Sequence, residues 1–157
     1  MDVDFALPRA DWQSFAAAVE QAKRRTRISA QYTEDIDRWS AITYLDYERH
    51  TYVYRKFDKI ELRLMEPAYW ALGKLTRYLD SDVRDLVSVL AKTSTHWKDV
   101  AGVAGRALKQ SPKSTACFQF RTQVENFFAK KGKKVWGKNF DFKKAVELFH
   151  QKAGVQT

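Results

Sequence analysis

Hydrophobic residues change their period part-way along the chain. Before residue 66 most apolar runs alternate with polar positions; after it they recur every three to four residues. Residues 2–7 read as a strand ended by Pro8. Asp11 can cap a helix over about 12–25, with Trp12, Phe15, Val19 and Ala22 as its buried stripe. Ile28, Ala30 and Tyr32 alternate and predict a half-buried strand over 27–32. Residues 38–58 follow neither period, although Thr51-Tyr52-Val53-Tyr54 has strong strand propensity. Ile60, Leu62 and Leu64 alternate with Glu61, Arg63 and Met65, which predicts a strand over 60–65.

From Pro67, a residue suited to a first helical turn, the pattern becomes helical. Ala68, Leu72, Leu75 and Leu79 trace one apolar face, and Asp80-Ser81-Asp82 reads as a turn with capping residues. Val83, Leu86, Val87 and Leu90 predict the next helix. Ser94 or Thr95 can start another, with Trp97, Val100, Ala101, Ala104 and Leu108 inward. Ser111-Pro112 restarts the chain, and Val124, Phe127 and Phe128 close a helix that Gly132 is expected to stop. A last helix from about 141 buries Phe142, Ala145, Val146 and Phe149. These periods predict an α+β protein: a small mixed sheet with helices over 1–65, then a C-terminal helical bundle over 66–157.

The 157 residues suffice for a real core, which five Trp, ten Phe and seven Tyr can fill. No run of 18 apolar residues predicts a membrane helix, and Met1-Asp2-Val3-Asp4 has no basic leader region. The single Cys117 cannot form an internal disulfide, so the expected location is the cytoplasm, with no membrane partner. Charge sharpens the division at residue 65. Residues 1–65 hold 11 Lys/Arg and 11 Asp/Glu, whereas residues 66–157 hold 17 and 8. The whole net charge of +9 therefore lies in the second part.

Seven lysines fall between 130 and 144: Lys130, Lys131, Lys133, Lys134, Lys138, Lys143 and Lys144. Such a concentration attracts polyanions, nucleic acid above all, or else forms a solvated face. Trp70, Trp97, Phe118 and Phe120 are expected in the core. Trp136 and Phe140 interleave with the lysines, and that combination is what single-strand binding uses.

Candidate chemistry gathers elsewhere. Asp2 and Asp4 are two residues apart in a strand-like run, so their side chains would project the same way about 7 Å apart. Paired hard oxygen ligands suit Mg²⁺. Downstream, Glu66-Pro67-Ala68-Tyr69-Trp70-Ala71-Leu72-Gly73-Lys74-Leu75 leads to Val83-Arg84-Asp85-Leu86. The combination resembles the nucleotidyltransferase-fold proteins of the DNA polymerase beta superfamily, in the bacterial branch of abortive-infection and toxin–antitoxin nucleotidyltransferases. The resemblance covers roughly residues 2–92. It implies a nucleotidyltransferase-like sheet and Mg²⁺ (or Mn²⁺) held by Asp2 and Asp4. It implies a third carboxylate from Asp35 or Asp37, with Glu61 next in line, and phosphate contact by Lys74. Asp85 would pair with Lys74 or Arg84 as structural support. The family places a Gly-Gly or Gly-Ser turn before the first carboxylates, whereas here only Met1 precedes Asp2.

His50, His96 and His150 lack zinc-site spacing, and no serine-hydrolase or P-loop motif is present. The leading expectation is Mg²⁺-dependent transfer of a nucleotide from a nucleoside triphosphate to RNA, DNA or a protein, in a toxin–antitoxin or phage-defence setting. The alternative is a catalytically inactive module. It would bind nucleic acid or a protein partner, such as a cognate antitoxin or toxin, through its basic bundle.

Overall fold

Among the described residues strands lie in the first 65 positions, and every α-helix but one follows them. The computed structural model describes residues 2–5, 12–27, 29–32, 41–58 and 60–155. The chain divides into two compact units, residues 1–39 and 40–157, so the strands beyond residue 50 belong with the later helices.

The first unit is a β–α–β arrangement. Strand β1 (Asp2–Phe5) pairs in parallel with β2 (Ser29–Tyr32), and helix α1 (Trp12–Thr26) links them. The register sets Asp2 against Ser29 and Asp4 against Gln31. On α1, Phe15 and Val19 are half-buried, but Ala22 is exposed.

The second unit opens with residues 41–44, which bury Ile42 and Tyr44 against the helices. The Thr43 N–H donates to Ser111 Oγ at 2.9 Å, and the Tyr44 hydroxyl lies over Gly73, where any Cβ would collide with it. Strands β3 (Thr51–Phe57) and β4 (Ile60–Met65) then form an antiparallel hairpin with an irregularity between Val53 and Arg55. Its base is tied to the helices: the His50 ring stacks on Tyr69 at 3.9 Å, and the Glu66 N–H donates to the His50 carbonyl at 2.8 Å.

Five helices follow: α2 (Pro67–Arg77), α3 (Asp80–Lys92), α4 (Trp97–Gln110), α5 (Thr115–Trp136) and α6 (Phe142–Ala153). Leu72, Leu75, Leu86, Leu90, Val100, Phe120, Val124, Phe127, Phe128 and Phe149 form their fully buried core. Small residues on α4 (Ala101, Gly102, Ala104, Gly105, Ala107) let α6 approach closely, and a Cβ on Gly105 would press on the Phe149 carbonyl and Lys152. Phe118 is exposed, unlike Phe120.

Four local expectations are corrected. Asp80-Ser81-Asp82 is the first turn of α3, where carboxylates favour the positive end of the helix dipole. The cap of α4 is His96, whose Nδ1 accepts from the Lys98 N–H at 3.1 Å. Leu79 and Phe142 are exposed because each sits at a helix end, clear of the packed stripe. Gly132 does not stop α5. It lies inside the helix, where its missing side chain makes room for the Phe140 ring, and the helix ends at Gly137, where φ is +87°.

Candidate nucleic-acid interface

The lysine-rich segment is built from the last two turns of α5, the turn after it and the start of α6. Its inner side is aromatic. The Trp136 ring lies 4.9 Å from Phe140, 5.7 Å from Phe128 and 6.1 Å from Phe127, and Phe140 meets Trp97 edge-on at 6.2 Å. The Trp136 indole N–H donates to the Thr95 carbonyl at 2.8 Å. Trp136 therefore pins the end of α5 to the start of α4. The expectation that Trp136 and Phe140 offer free faces to bases is corrected: both rings are engaged by neighbours, and Phe140 is buried.

The outer side is cationic. Lys130, Lys133, Lys134, Lys138, Lys143 and Lys144 are exposed, and Lys131 is half-buried. Among the described residues none of the seven makes an ion pair, although Asp141 lies between them in sequence. Asp141 is committed instead to capping α6, accepting from the Lys143 and Lys144 N–H groups at 3.0 and 3.3 Å. Val83, Arg84, Val87 and Ser88 on α3 face Lys131 and Lys134 on α5 across a cleft of about 360 Å³. No acidic side chain lines it. Arg84 is exposed and has no carboxylate partner among the described residues, so it does not serve as support for Asp85.

Lys74 lies in a different electrostatic setting. Its ammonium contacts Asp85 at 2.8 Å and Asp82 at 3.0 Å, with the Trp70 ring 5.6 Å away. Asp82 is buried and also accepts from Arg77 at 2.8 Å and from the Leu79 N–H at 3.3 Å. Burial works against both charges, but the hydrogen bonds prevail. The Lys74 pKa is raised by Asp85 and Asp82, and the Asp82 pKa is lowered by Arg77 and Lys74. The phosphate role expected for Lys74 thus meets a lysine already neutralised by two carboxylates. Sequence reading placed Asp82 among the capping residues before α3, which its bond from the Leu79 N–H matches, but missed its burial and its pairing with Lys74 and Arg77.

A second ionic group, half-buried around the buried His150, also escaped the sequence. Glu125 joins Arg121 at 2.8 Å to His150 at 2.7 Å, linking α5 to α6. Burial opposes its charge, but the bonds from Arg121 and His150 hold its carboxyl below the ordinary range.

Asp82 and Glu125 fix the sign of an acid response. A depressed folded pKa means that the unfolded chain binds the proton first. Their stabilisation is therefore complete above about pH 4 and lost as pH falls through the lower folded values. Thermal melts at stepped pH should show that loss. Asp82→Ala should flatten it and cost about 3 kcal/mol at neutral pH, because Lys74 and Arg77 lose a buried partner. A variant that melts like the parent at neutral pH would contradict the assigned role.

Asp2 and Asp4 occupy alternate positions of β1. Asp35 and Asp37 lie outside the described residues. Glu61 on β4 pairs with Lys56 at 2.6 Å and Arg63 at 3.3 Å, which lower its pKa. Among the described residues no group of three or more His, Cys, Asp or Glu side chains could hold a metal. No described helix is long and apolar enough to cross a membrane. No protein-family model, curated protein or solved structure matches the chain.

Proposed function

We propose that the chain binds nucleic acid through the lysine-rich end of its helical unit. The observation that carries this reading is the set of seven lysines between 130 and 144 without an ion pair among the described residues, while Lys74, Arg77 and Arg121 are each held by carboxylates. Uncompensated cations on one segment stay free to displace the counterions condensed on a phosphate backbone. The aromatic cluster beneath them fixes the helix ends that present them. RNA and DNA share this chemistry. Fluorescence anisotropy with labelled 20-mers should show binding that weakens linearly in log affinity against log salt. No binding at 50 mM salt would remove this reading.

A second reading concerns the first unit: Mg²⁺-dependent nucleotidyl transfer from a nucleoside triphosphate to nucleic acid or protein, in a toxin–antitoxin or phage-defence setting with a cognate partner. What supports it is the β–α–β arrangement that carries Asp2 and Asp4 two residues apart on β1. Such a carboxylate pair would suit Mg²⁺ or Mn²⁺. The ion, when bound, supplies polarisation of phosphoryl oxygens. Asp35 or Asp37 would complete the acidic set. Labelled triphosphate, Mg²⁺ and total RNA should then yield labelled RNA, and Asp4→Ala should cut the signal by orders of magnitude. No transfer to RNA, DNA or protein with any of the four triphosphates leaves the binding reading alone.

A further inference from the structure

The cleft between α3 and α5 combines features that the rest of the basic segment lacks. It is concave, with a volume of about 360 Å³. That is the lower end of the range for small-molecule sites, roughly 300–1,000 Å³, and offers room for one nucleotide-sized unit. Three cations converge on it from two helices: Arg84 from α3, Lys131 and Lys134 from α5. On each helix the residues are spaced to share a face, Arg84 with Val87 and Ser88, Lys131 with Lys134. Val83 and Val87 add an apolar surface, and the Ser88 hydroxyl can donate or accept a hydrogen bond.

We propose that this cleft seats one nucleotide of a single-stranded nucleic acid, a subsite that rests on the basic-interface reading above. The chemistry divides by residue. The guanidinium of Arg84 presents a planar fork that matches two phosphate oxygens, while the lysine ammonium groups act as point charges beside it. The two valines take the sugar or the face of the base, which every base offers, so the seat discriminates little between sequences. A volume of about 360 Å³ holds one nucleotide unit, and reaching the valines needs a base free of its stack and pair, which a single strand offers and a duplex does not. The occupant is therefore a single strand, and duplex is the reference ligand.

The test uses the full chain with fluorescein-labelled 20-mers of oligo(U) RNA and oligo(dT) DNA and with a 20-base-pair duplex. Ser88 is exposed on α3, so Ser88→Trp fills the cleft without changing charge. It should weaken single-strand binding about tenfold, the scale of one lost stacking contact, and leave duplex affinity unchanged. Arg84→Gln should flatten the single-strand salt slope by about 0.7, the release from one phosphate contact. It should also lower single-strand affinity more than duplex affinity. Lys138→Gln, outside the cleft, should weaken both ligands alike. If both cleft variants bind single strands like the parent, the seat is overturned while the wider interface stands. If the parent chain binds no polynucleotide at all, the interface reading falls and the seat with it.

Discussion

Replacing Lys130, Lys131, Lys133 and Lys134 with Gln should flatten the salt dependence of single-strand binding by up to about 3 units of slope. Each phosphate contact contributes about 0.7 through released counterion. The same release should lower affinity on the order of a hundred- to a thousandfold near 0.1 M salt if all four contact phosphate. Fold integrity should survive. Three of the four are exposed, and none anchors a carboxylate among the described residues. Anisotropy titrations from 50 to 300 mM salt, with a thermal melt on the same preparation, read both quantities. An unchanged slope would make the lysine run a solvated surface.

Trp136→Ala should cost about 3 kcal/mol of stability, the lower part of the range for removing a packed aromatic ring. For a chain of this length that corresponds to a fall of roughly 6–12 °C in Tm. Three ring contacts, which hold the end of α5 and the turn after it together, disappear along with the hydrogen bond to Thr95, which ties that end to the start of α4. Trp136→Phe keeps an aromatic ring but loses the indole donor, so it should cost only about 1 kcal/mol. Its nucleic-acid affinity should stay close to that of the parent. If Trp136→Ala kept its melting temperature and lost affinity instead, the ring would be a base-stacking surface.

The helical part of the fold was readable because a 3.6-residue apolar period survives in a sequence whenever one helix face is buried. Ala68, Leu72, Leu75, Leu86, Leu90, Val100, Ala101 and Ala104 are the examples. The β3–β4 hairpin was half readable: alternation marks 60–65, but residues 38–58 carry no clear period. What failed depends on contacts between distant residues. Gly132 looks like a stop signal until Phe140 is seen to occupy the space of its missing side chain. The charge of Asp82 looks like surface until Lys74 and Arg77 close over it, and Glu125 is 25 residues from the His150 it binds.

The candidate interface was readable as composition, since seven lysines in fifteen residues need no structure to be seen. Its geometry was not. Asp85 was expected to pair with Lys74 or Arg84; it takes Lys74, and the fold sets Arg84 opposite Lys131 and Lys134 across a cleft. Trp136 and Phe140 interleave with lysines along the chain, yet on α5 successive side chains are turned 100° apart, which separates Trp136 from Lys134, and Phe140, in the turn after α5, folds back over Gly132. The aromatics face the core and the lysines face outward.

Lysine acylation with and without a saturating single strand tests the central claim most directly. Lys109 and Lys152 serve as references. Lys109 lies beside Gly154, at the ends of α4 and α6 remote from the Trp97–Phe140 contact that marks the lysine-rich end. Mass spectrometry should show Lys130, Lys131, Lys133, Lys134 and Lys138 protected at low salt and released at high salt, with Lys109 and Lys152 equally reactive throughout. Equal modification of all these lysines with and without a bound strand would contradict a nucleic-acid interface at the end of α5.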